Sequence, residues 1–194
     1  MTIFVKPLEL LWRGVNRLRR ALYRGGILKS KRLPRPVISV GNLAAGGSGK
    51  TPAVIAIARY LTKRGFTVAV LTRGYGRAES EAGLVASLDA ARFGDEPVLI
   101  KSKLTNVHVI VGSKRYDNAI QFISQNDCDL FILDDGFQHL QLARDVDVVI
   151  DAGSGVMREG RSALADADFV IQRNLRLVLP ENVGRVLQPG PSGG

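Results

Sequence analysis

The chain has 194 residues, 45% of them hydrophobic and 23% charged, which suits one domain with a full core. No apolar run approaches the ~18–20 residues of a membrane span, arginines interrupt the apolar N-terminus so that no secretory signal is read, and a single cysteine, Cys128, excludes an internal disulfide. One cysteine and two histidines also argue against a zinc site, and the net charge of +9 resides in residues 1–35, where ten Lys/Arg stand against Glu9; the remainder is balanced.

The first predicted element is an amphipathic helix over residues 7–23. Leu8, Leu11, Val15, Leu18 and Leu22 recur at spacings of three and four, with Trp12 at their border. Arg13, Arg17, Arg20 and Arg24 fall on the opposite face, and Arg19 lies near the boundary. Two readings fit this pattern. In one, leucines enter a membrane interface while arginines meet anionic headgroups; in the other, the helix docks on its own domain and its basic face is solvated. A nucleic-acid arm has no recognition motif or interleaved aromatics to support it. Gly25 and Gly26 end the helix, and a basic linker follows.

Residues 37–40, Val-Ile-Ser-Val, read as a short buried strand. Gly46, Gly47, Ser48, Gly49, Lys50 and Thr51 then turn sharply, and Pro52 suits a first helical turn, where no N–H is needed. Strand, Gly-rich loop, Gly-Lys-Thr and helix form the context of a P-loop. Glycines let backbone N–H groups approach phosphate oxygens, and the helix N-terminus adds partial positive charge. Lys50 is positioned to reach β- and γ-phosphates, and Thr51 to hold Mg²⁺. The glycine that ordinarily stands five residues before Gly49 is Ala44 here.

A second strand is predicted over 67–72, followed by Arg73-Gly74-Tyr75-Gly76 at its C-terminal end, the edge where ligands gather in open α/β sheets. Tyr75 reads either as a substrate-facing residue or as a surface tyrosine. Residues 78–93 look like a loop, partly helical. Asp95 and Glu96 open a short helix, either to favour its dipole or to supply a general base. A strand over 107–111 leads to a helix over 113–125, with Ser113 as its expected N-cap. Arg115 in the first turn is unfavourable to the dipole, so a phosphate partner and a solvated surface position compete. An apolar strand over 129–133 ends in Asp134 and Asp135, the pattern of a Walker B acid, and Gly136-Phe137-Gln138-His139 follows. Further strands are expected over 146–150, 169–171 and 175–179. Alternating strands and helices indicate a three-layer α/β fold of P-loop NTPase type, its sheet mainly parallel, preceded by the amphipathic helix. The expected division is 1–35 for the basic membrane-associating helix and linker, 36–180 for the core domain, and 181–194 for a disordered tail.

Taken together, GNLAAGGSGKTP, RGYG, GDEP, VGSKR and DDGFQH resemble, in this order, the tetraacyldisaccharide 4′-kinases of lipid A biosynthesis. The resemblance implies ATP- and Mg²⁺-dependent transfer of a phosphoryl group to the 4′-hydroxyl of a tetraacyldisaccharide 1-phosphate, giving lipid IVA. It implies phosphate binding by the loop from Gly46 to Thr51, with Arg115, Gln138 and His139 around the phosphates. It implies Asp95 as the residue closest to the attacking hydroxyl, Glu96 beside it, and Thr51, Asp134 and Asp135 at the metal. Arg73 and Tyr75 match a segment near substrate. The N-terminal helix is similar to that family's membrane-binding segment, which implies a peripheral site on the cytoplasmic face of the inner membrane. Family members carry a second, smaller lobe that supplies a histidine to the GDEP aspartate. The chain after Asp151 matches that pattern poorly, so this lobe is expected to be absent or diverged. Two other functions compete: a non-catalytic lobe that binds nucleotide and membrane, and a membrane-associated ATPase switch. The switch class has a lysine where this chain has Ala45.

Overall fold

A computed structural model describes residues 5–45, 49–74, 83–151, 156–157, 161–172 and 177–178, and side chains from residue 14 onward within that set except at 44–45, 156–157 and 177–178. The expected tail falls outside these residues. Helix α1 spans Val5–Arg24. The core alternates strand and helix: β1 Val37–Asn42, β2 Ala44–Ala45, α2 Lys50–Thr62, β3 Val68–Thr72, β4 Gly83–Leu84, α3 Ala90–Phe93, α4 Asp95–Lys103, β5 His108–Val111, α5 Arg115–Ile123, β6 Leu130–Asp134, β7 Val146–Asp151 and β8 Val156–Met157. A 3-10 helix over Arg161–Asp166, β9 Phe169–Gln172 and β10 Leu177–Val178 complete it.

The main sheet has eight strands in the order β10-β9-β7-β1-β6-β3-β5-β4, parallel from β9 to β5 and antiparallel only at its two edges. β2 and β8 form a separate antiparallel pair. The parallel strands are apolar on both faces because helices cover both. Val68, Val70 and Ile132 face one layer with Val54 and Ala58 of α2 and Ile100 of α4. Ala69, Leu71, Phe131 and Leu133 face the other, with Ala119 and Phe122 of α5. The period of two thus sorts each strand between two cores.

Several boundaries differ from the sequence expectations. The segment expected to be a loop before α4 contains β4, which adds an antiparallel edge strand to β5. Ser113 does not cap α5; Lys114 occupies that position and makes no side-chain cap. The linker is bonded to the domain: Lys31 N–H donates to Gln141 O at 2.8 Å, Ala143 N–H donates to Lys31 O at 2.8 Å, and Leu33 is buried.

A third core cluster joins Phe137, Leu43, Val149, Ala163, Ala167 and Val170. It seats the loop after β6 against β1. Gly41 permits this approach, since a Cβ there would lie 2.4 Å from Phe137 Cβ and 2.8 Å from Phe137 N. Backbone atoms cannot yield as a side-chain tip does. Gly41→Ala is therefore expected to lower unfolding free energy by about 2–3 kcal/mol, the upper range of overpacking. Urea denaturation measures this, and an unchanged midpoint would show that the loop is not held against β1.

Candidate active site

The functional groups gather at the C-terminal edge of the parallel sheet, in a cleft of about 950 Å³. Register explains the gathering. β6 lies directly beside β1, with Asp134 opposite Val40, so the acids emerge next to the strand that feeds the Gly-rich loop. Thr72 at the end of β3 pairs with Val111 of β5, which brings Arg73 and Ser113 to the same rim.

Gly49 precedes α2 with φ +85°, a left-handed conformation that suits glycine. Lys50 and Thr51 open the helix, and Pro52 sits in its first turn. Lys50 Nζ lies 3.5 Å from Asp135 Oδ1. Gly46, Gly47, Ser48 and Tyr75 lie outside the described residues. Asp95 and Glu96 are exposed in the first turn of α4 and line the cleft together with Arg115 and His139. The alternative in which these acids serve only the helix dipole does not account for their place in the cleft.

Asp134 is 2% exposed, and Thr72 Oγ1 donates a hydrogen bond to its Oδ2 at 3.0 Å. Burial first, then the Glu96 charge, pushes its carboxyl up to about 6, with Asp135 adding to the rise; the Thr72 bond and Lys50 oppose it. Asp135 is the one non-glycine residue with positive φ among the described residues, at 51°.

Arg115 is buried rather than a surface arginine. Its Nη1 donates to His139 Nδ1 at 3.3 Å, and its Nε has no hydrogen-bond partner among the described residues. A guanidinium only donates, so His139 Nδ1 accepts and the ring proton resides on Nε2. Burial, and then the Arg115, Arg19, Arg144 and Arg73 charges, hold the imidazole down to about 4. His139 is thus a neutral donor near pH 7. Gln138 Nε2 donates to Asn42 O at 2.7 Å, which ties the same loop to the end of β1.

Asn16 and Arg19 of α1 also line the cleft, and sequence reasoning missed both. Their spacing of three placed them on one helix face, but the pattern showed only leucines against arginines. Thr72 and Ser113 were missed as well, because a lone hydroxyl at a strand end carries no signal. Among the described lining residues, Arg19, Lys50, Arg73 and Arg115 face Asp95, Glu96, Asp134 and Asp135. With both signs of charge interleaved, such a cleft can seat a polyanion together with a cation.

Comparison with known proteins points in the same direction. The family model described as tetraacyldisaccharide-1-P 4′-kinase, LpxK, matches residues 1–183. A tetraacyldisaccharide 4′-kinase of Pelobacter propionicus is 42% identical over 191 residues, covering 90% of this chain and 53% of the relative. One of Shewanella halifaxensis is 43% identical over 195 residues, covering 94% and 58%. A solved structure of LpxK from Aquifex aeolicus in complex with ATP is 34% identical, with a TM-score of 0.79, covering 87% of this chain and 57% of that one. The chain spans about half the length of the curated relatives it matches.

The raised Asp134 carboxyl sets a stability prediction. Its folded pKa, about 6, exceeds the unfolded value of 3.8, so the folded state favours the protonated acid. That contribution is complete below pH 3.8 and is lost as pH rises through 6; at pH 7 the ionised acid destabilises the metal-free fold. Asp134→Asn is expected to raise metal-free stability at pH 7 by about 2–3 kcal/mol, since each tenfold change in proton affinity is worth roughly 1.4 kcal/mol. Thermal melts at pH 7 and pH 4 check this: the gain should appear at pH 7 and shrink at pH 4. A variant less stable at both pH values would contradict it.

Proposed function

From a chain that belongs to the tetraacyldisaccharide-1-P 4′-kinase family, we propose an ATP-dependent phosphoryl transfer to the 4′-hydroxyl of a tetraacyldisaccharide 1-phosphate, giving lipid IVA. The observation that carries this reading is the meeting of α2's N-terminus, the buried Asp134 and the buried Arg115 at one sheet edge. Arg115 has a donor unmet within the described protein, which suits an incoming phosphate oxygen. The Aquifex aeolicus LpxK was solved in complex with ATP, which supports the choice of nucleotide.

Mg²⁺ fits the residues present. Asp134 and Asp135 offer hard oxygen donors, the Thr51 hydroxyl stands at the start of α2, and burial leaves Asp134 in need of a cation. No group of three or more metal-ligating side chains occurs among the described residues. Asp134, Asp135 and Thr51 would hold the ion together with substrate phosphates and water. When bound, Mg²⁺ would supply charge neutralisation to the nucleotide's phosphates.

The chain's own residues would do the rest. Lys50 would reach the β- and γ-phosphates, and Arg115 with the Nε2–H of His139 would orient phosphate oxygens. Asp95 accepts the proton of the 4′-hydroxyl as that oxygen bonds to the γ-phosphorus and the bond to the β-bridging oxygen breaks, releasing ADP. Glu96 lies beside it, and Arg73 and Tyr75 contribute on the substrate side.

The membrane reading rests on α1. No helix among the described residues is long and apolar enough to cross a membrane. The helix is docked through Arg20, which is buried, while Arg17 and Arg24 stay exposed, as do Val15 and Leu18 at 50% and 62%. Ile27, just beyond it, is 73% exposed. An outward side that carries both apolar and basic residues suits a peripheral enzyme on the cytoplasmic face of the inner membrane, drawing a lipid acceptor from the bilayer.

Lys50→Ala is expected to reduce Mg-ATP affinity at least tenfold, on the order of one charge-assisted phosphate contact. Asp95→Ala should leave that affinity within about twofold and lower transfer to the tetraacylated acceptor by a factor of about 10²–10⁴, the range for a general base. Calorimetry and radiolabel transfer separate the two. Equal affinity in Lys50→Ala would remove the P-loop assignment, and undiminished transfer in Asp95→Ala would remove the base.

For the membrane, the paired change Val15→Glu and Leu18→Glu should release the chain from vesicles containing anionic lipid without changing its melting temperature, since neither side chain is buried. Continued sedimentation with vesicles would place the contact elsewhere.

A further inference from the structure

The contact that joins α1 to the acid-bearing loop is a buried arginine, and its geometry is specific. Arg20 is 6% exposed. Its Nη2 donates to the backbone carbonyl of Phe137 at 2.8 Å, its Nη1 pairs with Asp166 Oδ2 at 3.2 Å, and its guanidinium stacks 4.1 Å from the centroid of the Phe137 ring. Arg24, one turn on, pairs with the same Asp166. Arg20 therefore ties three elements together: the N-terminal helix, the loop after β6, and the 3-10 helix.

The loop it grips is the one that carries the chemistry. Phe137 follows Asp134 and Asp135 and precedes Gln138 and His139. Asp135 has φ +51°, a left-handed conformation that costs a non-glycine residue on the order of 1–2 kcal/mol and persists only where the surroundings enforce it. Gly136 allows the turn, because a Cβ there would lie 2.6 Å from Ser39 Oγ and 2.8 Å from Leu133 Cγ. Phe137 then fills the third core cluster. Apolar burial holds the ring but leaves its carbonyl to be satisfied in the interior, and an unmet buried carbonyl is costly. Arg20 meets that carbonyl with a charged donor while covering the ring with its face.

We propose that Arg20 is a positioning residue for the metal- and phosphate-handling loop, so that docking of the N-terminal helix holds Asp134 and Asp135 in their metal-binding arrangement. The consequence for metal binding rests on the phosphoryl-transfer reading above; the grip on the loop does not. It also makes the N-terminal helix a working part of the cleft. Asn16 and Arg19, four and one residues before Arg20, line the cleft from the same docked face. A helix displaced from the domain would withdraw the loop's support and these two side chains together.

The test compares the full chain with Arg20→Met, which keeps an apolar stem, and Arg20→Ala, which leaves room for free guanidinium ion. Amide hydrogen exchange reads the grip without reference to any reaction. In Arg20→Met, residues 135–139 should exchange at least tenfold faster while β3 and β5 are unchanged. Nucleotide affinity measured with Mg²⁺ and again in chelator reads the consequence. The Mg²⁺-dependent gain in ATP affinity should fall about tenfold, as for loss of one charge-assisted hydrogen bond, while affinity in chelator changes less than threefold. Millimolar guanidinium should restore part of the Mg²⁺-dependent gain in Arg20→Ala and leave the unaltered chain unaffected. If Arg20→Ala does not fold, Asp166→Asn should show the same pattern more weakly.

Unchanged exchange at 135–139 overturns the proposal. So does an equal loss of affinity with and without Mg²⁺, since a merely structural role would lower both alike. If the unaltered chain binds no nucleotide, the proposed function fails and with it the metal-binding part of this inference, while the exchange result still decides whether Arg20 holds the loop.

Discussion

The fully buried ring of Phe137 is the fixed point of this site. It sits on β1 where Gly41 leaves room, packs with Val149 of β7 and Val170 of β9, and lies under the Arg20 guanidinium. Everything around it follows from that anchorage. Two residues upstream the chain takes a left-handed turn at Asp135; one and two residues downstream Gln138 and His139 return to the cleft. Both are tethered as well, since the Gln138 side-chain Nε2 donates to Asn42 O and Arg144 Nη1 donates to the backbone His139 O at 3.4 Å. A loop held at so many points presents its polar side chains with little left to reorganise when a ligand arrives, which is what electrostatic stabilisation requires.

The electrostatics of the cleft strain groups of both signs. The Asp134 carboxyl is buried with Glu96 and Asp135 nearby, and its pKa is pushed up to about 6. Burial and the charge of Arg115 and its neighbours hold His139 down to about 4. Each environment disfavours the charge it contains and favours an incoming partner of the opposite sign. A metal-bearing polyphosphate supplies both partners at once, the cation for the acids and the anion for the guanidinium. This destabilised arrangement is characteristic of a site arranged for a ligand rather than for the stability of the free fold.

The N-terminal helix links that chemistry to a surface. Its docked side carries Asn16, Arg19 and Arg20, and its outward side carries Val15 and Leu18 together with Arg17 and Arg24. Residues 16, 19 and 20 recur at helical spacing and so share one face, as do 15 and 18 on the next. An arginine here serves as the core-facing residue because its stem and stacked face are apolar, while its donors satisfy a carbonyl and a carboxylate. The apolar and basic side chains of the outward side are thereby left for another medium.

The sequence alone determined the local chemistry. Alternating apolar runs and helical periods marked the strands and helices of the parallel sheet, since a strand covered on both faces must be apolar throughout. Gly49-Lys50-Thr51 and Asp134-Asp135 stood out because those residue types at strand ends suit phosphate and metal binding, and five ordered motifs pointed to the family. What only the tertiary structure decided are relations between distant positions. Arg20 and Phe137 are 117 residues apart, and helical periodicity placed Arg20 on a basic face, at headgroups or in solvent, because it registers polarity and not the partner. Arg115 was undecided between surface and site because burial is set by elements far from it in sequence. The sign of the pKa shifts at Asp134 and His139 likewise depends on neighbours gathered from four or more segments of the chain, and that gathering belongs to the fold and not to any one motif.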